Sequence, residues 1–553
     1  MTAAQTKTAI RDVRHLGDYS TTPRMLVITA LAVPVGAVSA CVAWALLRLI
    51  GLITNAIFYE RLDSKLVLPS GGHSHWYVIL LAPAVGGLIV GLIARYGSEK
   101  IRGHGIPEAI ESILLGGSKV EPRVSILKPI ASAVTIGTGG PFGAEGPIIM
   151  TGGALGSLLA QFVHLTADER KTLLVSGAAA GMAATFNAPL ASVLLAVELL
   201  LFEWRPRSYV PVVTAVCTAT VVRGYLLGTG PIFDVPAVTI HLTGPIVALC
   251  VVSGVVSGLL AIGATALVYA SEDAFARLPV HWMWWPAIGG LVIGLGGLAV
   301  PQALGVGYDV IGAELDGSVG LQLVIGILVV KTLIWSLSLG SGTSGGVLAP
   351  MFMVGGALGA LEAHAFPSVA PGFWPLVALA GVLGGVMRAP LTGVAFAVEL
   401  THRLDAVLPL LVGASAAYAL SVVFLKRSVL TEKIARRGYH LSREYDVDPL
   451  EVLLVGEVMA TEPLDAEPNA PIAYPTETLR AVAYRMAESG FTELPVVAAP
   501  DDHRLVGVVT LPQLLEGRLR DLREARHAER VLTLWPVQRL PSMRAGCRRS
   551  GDR

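Results

Sequence analysis

Residues 137–156 read GTGGPFGAEGPIIMTGGALG, and residues 340–359 read GSGTSGGVLAPMFMVGGALG. The second stretch begins 203 positions after the first, and ten of the twenty positions are identical. The shared residues include the glycines at 137/340, 139/342 and 143/346, the prolines at 147/350 and the closing GGALG. One position in each copy can carry a charge, and there the copies differ: Glu145 stands against Leu348. Glycine and proline at a helix start leave unpaired backbone N–H groups and a partial positive charge. Twin starts of this kind in an apolar chain predict two half-helices aimed at one buried site.

The repeat extends beyond the opening pattern. Ala188 to Leu199 (APLASVLLAVEL) matches Ala389 to Leu400 (APLTGVAFAVEL) at eight of twelve positions. Lys128 and Lys331 each sit nine residues before the first repeated glycine, and Gly103-His104-Gly105 corresponds to Gly305-Val306-Gly307. Two copies of one unit therefore occupy 103–200 and 305–401. A repeat of this length, rich in apolar segments, is the mark of a duplicated transporter or channel rather than of a solenoid. Identity alone leaves parallel and inverted copies open.

The 553 residues are 53% hydrophobic and 15% charged, with mean hydropathy +0.65. Runs such as Met25–Gly51, Trp76–Ala94 and Ile246–Tyr269 exceed the roughly 20 residues that cross a bilayer. The expectation is a multi-pass membrane protein. The first apolar run is too long for a cleavable signal. Lys and Arg together equal Asp and Glu, 41 of each, so no nucleic-acid field is implied. Basic residues at Lys7, Arg11, Arg14 and Arg24, and again at Lys426, Arg427, Lys433, Arg436, Arg437 and Arg443, place both termini in the cytoplasm. Cys41, Cys217, Cys250 and Cys547 lack metal-ligand spacing and read as packing residues. Short apolar pieces at Ile106–Leu115 and Pro189–Phe202 read as broken helices, tolerated only around a protein-enclosed cavity. The expected domains are a tail at 1–23, a membrane domain at 24–430, a basic linker at 431–449, a soluble domain at 450–537 and a basic tail at 538–553.

Gly143-Ala144-Glu145-Gly146-Pro147 combines a helix start, which favours anions, with a carboxylate. A carboxylate in a membrane core is costly unless something satisfies it. Glu145 is either a tethered gate, competing with a passing anion and able to carry a proton, or a simple cap. Capping would serve both copies equally. Gly346-Val347-Leu348-Ala349-Pro350 keeps glycine and proline but loses the acid, which favours the gate. A third start, Gly103-His104-Gly105-Ile106-Pro107, is followed by Glu108, and His104 offers a ring nitrogen to an anion.

These three motifs, in this order, resemble the CLC family of chloride channels and chloride/proton exchangers, as does Phe186-Asn187-Ala188-Pro189. The resemblance covers 24–430. It implies an all-α inverted repeat of about eighteen helices, many broken or tilted. It also implies a homodimer with one anion pathway per subunit, seated in the cell membrane. Glu145 would be the gating and proton-carrying glutamate. The three starts (103–107, 143–147 with Glu145 as gate, and 346–350) would bind the anion, with His104 and the N–H groups near Val347 and Leu348 at its centre. The chain departs from the family where a serine is expected, at His104, and where a phenylalanine is expected, at Leu348. It departs again near Leu430, where the family places a tyrosine. The internal proton glutamate of the exchangers falls on Leu199, which is not acidic; Glu203 is a substitute candidate. Fluoride is disfavoured, because the Asn and Met of the fluoride branch are missing. Glu198 and Glu399, kept in both copies, read as groups that satisfy backbone donors. Lys128 and Lys331 read as neutralised packing or field-setting residues.

In the tail, Thr478–Gly490 reads as an amphipathic helix, Glu493–Val497 and Leu505–Thr510 as strands, and Pro512–Leu522 as a helix. With Glu457-Val458-Met459 upstream, this resembles a single CBS motif in a small α/β domain. Pairs of CBS motifs can bind adenine nucleotides. The usual ribose-binding Asp is Gln513 here, which argues against that cofactor and for a regulatory or dimer-stabilising module. No other cofactor and no metal is expected; His73-Ser74-His75 lacks further ligands. The Gly340–Gly345 match to GxGxxG lacks a βαβ frame.

The functional expectation is chloride transport through a pathway gated by Glu145, either channel-like and voltage-gated or coupled to protons. The alternative is a secondary transporter for another inorganic or organic anion, which would need arginines at the site. An enzyme would need a nucleophile–base pair or a motif such as HExxH, and neither is present.

Overall fold

The computed structural model describes residues 23–69, 75–114, 117–233, 235, 240–439, 450, 453–460, 470–499, 502–516 and 519. Residues 1–22 of the expected tail at 1–23, the tail at 538–553, residues 440–449 of the linker, Arg443 and Cys547 lie outside them. The first half runs α1 (Arg24–Phe58), α2 (Trp76–Tyr96), α3 (Ile106–Leu114), α4 (Pro122–Gly137), α5 (Glu145–Gln161), α6 (Ala167–Phe186), α7 (Pro189–Leu195) and α8 (Pro206–Leu227). The second half runs α9 (Gly244–Ala276), α10 (Trp285–Ala299), α11 (Tyr308–Asp316), α12 (Leu321–Gly326), α13 (Thr332–Gly340), α14 (Leu348–Glu362), α15 (Phe373–Met387), α16 (Pro390–Thr401) and α17 (Val407–Phe424). Then comes α18 (Val429–Arg436). A π-helical turn at Ile327–Lys331 joins α12 and α13 into one span, so the halves match helix for helix. Among the described residues, seven helices are long and apolar enough to cross a membrane.

The backbone repeats more faithfully than the sequence does. The helices α3 and α11 both have nine residues. Asn187 and Arg388, which end α6 and α15, are both left-handed, with φ of 53° and 56°. Phe202 and His402, after α7 and α16, both have φ of 54°. Non-glycine residues enter this region only where the surroundings impose it.

The closing GGALG is a packing face. A β-carbon on Gly152 of α5 would lie 2.3 Å from the Gly177 carbonyl of α6, and one on Gly359 of α14 would lie 2.2 Å from the Trp374 carbonyl of α15. Small residues let membrane helices approach backbone to backbone. Outward faces carry Leu81, Val85, Val251 and Leu259, all exposed, as a lipid-facing surface requires. The cysteines depart from the packing expectation: Cys250 is buried, but Cys41 and Cys217 lie on outward faces of α1 and α8.

The two repeats hold each other by exchanged carboxylates. Glu399 at the end of α16 accepts the Leu190 and Ala191 N–H groups of α7 at 2.9 and 2.7 Å. Glu198, just past α7, accepts the Thr392 N–H and hydroxyl of α16 at 2.8 and 2.5 Å. Each helix opens with a proline (Pro189, Pro390), and each has its orphan donors met by the other copy.

The soluble part contains α19 (Val455–Val458), α20 (Leu479–Ser489) and the antiparallel pair β1 (Glu493–Ala499) and β2 (Asp502–Thr510). Leu479, Val482, Leu494, Val496 and Val509 form its core. The expected last helix is described as a helical turn at 511–516. Glu477 is held by Arg485 at 2.6 and 2.9 Å. Burial pushes the Glu477 carboxyl up, but the Arg485 bonds outweigh it and hold the group below the usual carboxylate range.

Two outcomes follow from these contacts. Replacing Glu399 by Ala strands two donors at the α7 start and should lower stability by about 1–2 kcal/mol, with a smaller loss for Glu399→Gln, read by thermal unfolding in detergent. The Glu477 contribution should be present above the ordinary glutamate pKa of about 4.3 and fade as pH falls through and below it. In Glu477→Gln, protection of the β1–β2 amides should lose that extra acid sensitivity.

Candidate functional site

Three helix starts converge between the repeats. The Gly346 N–H, just before α14, donates to the Gly143 carbonyl, just before α5, at 2.9 Å. Gly103, before α3, forms a parallel bridge with Ser344, whose hydroxyl lies 2.8 Å from that of Ser132 on α4. A β-carbon on Gly146 would lie 1.9 Å from the His104 carbonyl, so the first and second starts touch through backbone. Residues Gly103, His104, Gly105, Ile106 and Pro107 are all buried, as are Gly143, Ala144, Gly146 and Pro147, and Gly346, Val347, Leu348, Ala349 and Pro350. The first turns of α5 and α14 touch, with Gly146 and Glu145 against Gly346 and Ala349.

The Glu145 side chain does not serve its own copy alone. Its Oε1 accepts the Ala349 N–H of α14 at 2.9 Å. A β-carbon on Gly346 would lie 2.4 Å from its carboxyl carbon, so the carboxylate rests directly on the second copy's helix start. The residue is fully buried, and its Oε2 has no hydrogen-bond partner. The asymmetry of the repeat has a physical reason here: one copy supplies the anionic group and the other supplies the seat. An acid at position 348 would set two carboxylates against each other in a buried space.

Matching lysines prepare the surroundings. Lys128 Nζ donates to the Ile101 and Gly103 carbonyls at 2.7 and 2.6 Å. Lys331 Nζ donates to the Ala303 and Gly305 carbonyls at 2.9 and 2.7 Å. Both are fully buried. Each Nζ thus engages carbonyl oxygens of the turn before α3 or α11. The α11 start borders a cavity of about 120 Å³ lined by Gly305, Gly307, Tyr308, Asp309, Thr54 and Pro69.

The other sequence candidates fall at several places. Leu199 is fully buried. Glu203 is tied to Ser208 and lies 3.5 and 3.8 Å from Arg205 and Arg207. Leu430 is buried in the first turn of α18, whose Val429 carbonyl accepts the Tyr269 hydroxyl at 2.5 Å. His73 and Ser74 lie outside the described residues, and His75 stacks on Tyr77. Gln513 accepts the Thr510 N–H at 2.8 Å, closing its own turn. Sequence reading missed Tyr308, whose buried hydroxyl has no partner, and Glu314, fully buried with neither oxygen bonded. Aligning Gly305-Val306-Gly307 with the third motif points to Tyr308, the next residue; nothing in the repeat points to Glu314.

A family model described as "Voltage gated chloride channel" matches residues 86–422, and one described as "CBS domain" matches 455–519. The chain is 30% identical over 426 residues to an H(+)/Cl(-) exchange transporter ClcA of Yersinia pseudotuberculosis, covering 73% of this chain and 85% of that protein. It is 29% identical over 426 residues to the H(+)/Cl(-) exchange transporter ClcA of Salmonella arizonae, covering 73% of this chain and 86% of that one. The crystal structure of a slow cyanobacterial Cl-/H+ antiporter shares the fold with TM-score 0.67 at 21% identity, covering 76% of this chain and 99% of the other.

A Gly346→Ala methyl cannot coexist with the carboxylate at its present distance. An experimental structure of this variant should show Glu145 moved off the Ala349 N–H.

Proposed function

Because the chain belongs to the voltage gated chloride channel family, we propose that it carries chloride across the membrane along a pathway closed by the Glu145 carboxylate. One observation carries this reading: Glu145 Oε1 on the Ala349 N–H occupies the kind of place an anion would take at a helix start. While ionised, the carboxylate competes with chloride for the α14 donors. When it takes a proton it loses its charge and its hold, and chloride succeeds it. The same group that blocks the path can therefore take a proton from solution.

Uncoupled, channel-like passage is favoured by Leu199, a buried apolar residue where the CLC resemblance puts the internal proton acceptor. Coupled exchange is the second reading, supported by the exchange activity named for the Yersinia and Salmonella relatives. Both readings include a homodimer in the cell membrane with both termini cytoplasmic, in contact with lipid along the apolar faces. The CBS-like domain serves regulation or dimer stability. Its Gln513, engaged with Thr510, supports a role without adenine nucleotide.

The test is chloride efflux from proteoliposomes with simultaneous recording of external pH. Chloride efflux without proton movement is expected, and a chloride gradient that drives proton uptake would replace it with exchange. Glu145→Ala and Glu145→Gln should remove the pH dependence of flux. Flux that keeps its pH dependence in both variants would reject the gate, and no chloride flux from the unmodified protein would reject the function.

A further inference from the structure

Glu314 is fully buried in the last turn of α11, and neither of its oxygens has a hydrogen-bond partner. Its carboxyl rests on α14, where a β-carbon on Gly356 would lie 2.3 Å from Oε2. One turn back along α14, Met353 abuts the turn before α11. A β-carbon on Gly307 there would lie 2.7 Å from Met353 Sδ and 3.9 Å from Lys331 Nζ. A further turn back, the Ala349 N–H holds Glu145 Oε1 at 2.9 Å. Positions 349, 353 and 356 follow the i, i+4, i+7 spacing of one helix face. That face sets Glu145, Lys331 and Glu314 in order along about 10 Å of helix.

Three ionisable groups on one buried face cannot all be balanced. Lys331 is the cation that acts on both carboxyls. Its Nζ spends two of its three donors on the Ala303 and Gly305 carbonyls. One ammonium offsets one carboxylate, and a second carboxylate nearby would be a like charge without a partner. Of the helices packed against α11, α15 has no titratable group. The other, α14, has only Glu362, which accepts the Ser253 hydroxyl at 2.6 Å. Tyr308, at the α11 start, also interacts with Glu145 and is an uncharged phenol at neutral pH.

We propose that Glu314 is a second proton-carrying group, ionised in alternation with Glu145 across the shared Lys331 ammonium. While Glu145 is seated and ionised, Lys331 balances it, and the unbonded Glu314 keeps its proton. When Glu145 takes a proton and its seat is empty, Lys331 is left without an anion, and Glu314 releases a proton to solvent. One proton is gained and one is lost, so the three groups keep one positive and one negative charge. An anion that fills the vacated seat restores the balance, and Glu314 recovers its proton. This last step rests on the chloride reading above; the alternation of the two carboxyls does not.

The test is infrared difference spectroscopy of the full-length protein in chloride-free detergent buffer, at a pH alkaline enough to ionise Glu145. The unmodified protein should show one carboxylic-acid carbonyl band that Glu314→Gln lacks. Glu145→Gln, which copies the neutral gate, should lose that same band and gain a carboxylate band. This comparison stands even if Glu314→Gln does not fold. A band that persists unchanged in Glu145→Gln would make Glu314 a neutral packing group and overturn the proposal. No acid band assignable to Glu314 in the unmodified protein would make it a fixed counter-ion of Lys331, and would overturn it too. Chloride added to Glu145→Gln should bring the band back. A band lost in Glu145→Gln but not returned by chloride would fault the chloride reading and leave the alternation standing.

Discussion

Backbone N–H groups at a helix start inside a bilayer have no water to turn to, and something in the protein must meet them. Much of this structure follows from that requirement. Proline at the α7 and α16 starts removes one donor, and Glu399 and Glu198 accept others across the repeat boundary. Between the three converging starts the same need is met by the gate candidate. The Glu145 carboxylate meets the Ala349 N–H, and it can lose its charge by taking a proton. A carboxylate reaching across to the other copy's helix start is thus one chemical solution used at three starts. Lys128 and Lys331 make the converse contact at other turns, engaging backbone carbonyls just before α3 and α11.

Much of this was legible in the sequence because the chain states its design twice. The glycines and prolines shared by 137–156 and 340–359 marked the helix starts, and the single charged difference marked the gate candidate. Glu198 and Glu399 were readable as donors' partners because both copies keep them. Their actual partners were not readable, since the exchange between copies depends on three-dimensional placement some 200 residues apart in sequence. The same holds for the seat of Glu145: its position at a helix start was evident, but its rest on the other copy's helix was not. Tyr308 and Glu314 escaped notice because burial, and not residue type, makes them unusual. The outward cysteines were misread for a related reason: in lipid an apolar segment has no single inward side.

The departures at His104, Leu430 and Leu199 acquire a common meaning in space. Each stands where the CLC resemblance leads one to expect a hydroxyl or an acid, and each is buried. The frame tolerates such exchange because its shape comes from backbone approach, as at Gly152 against Gly177, and from the exchanged carboxylates.

The exchanged carboxylates also bear on how the chain is made. The first half leaves the ribosome with the α7 start uncapped and with a Glu145 carboxylate that has no α14 to rest on. Neither need is met until α14 and α16 have been inserted, some 200 residues later. During that interval the half-built protein carries unmet donors and a stray charge within the bilayer. Membrane insertion therefore ends in a mutual closure, in which the last-made helices complete the first-made ones, and a chain cut off before α16 would be left a substrate for quality control.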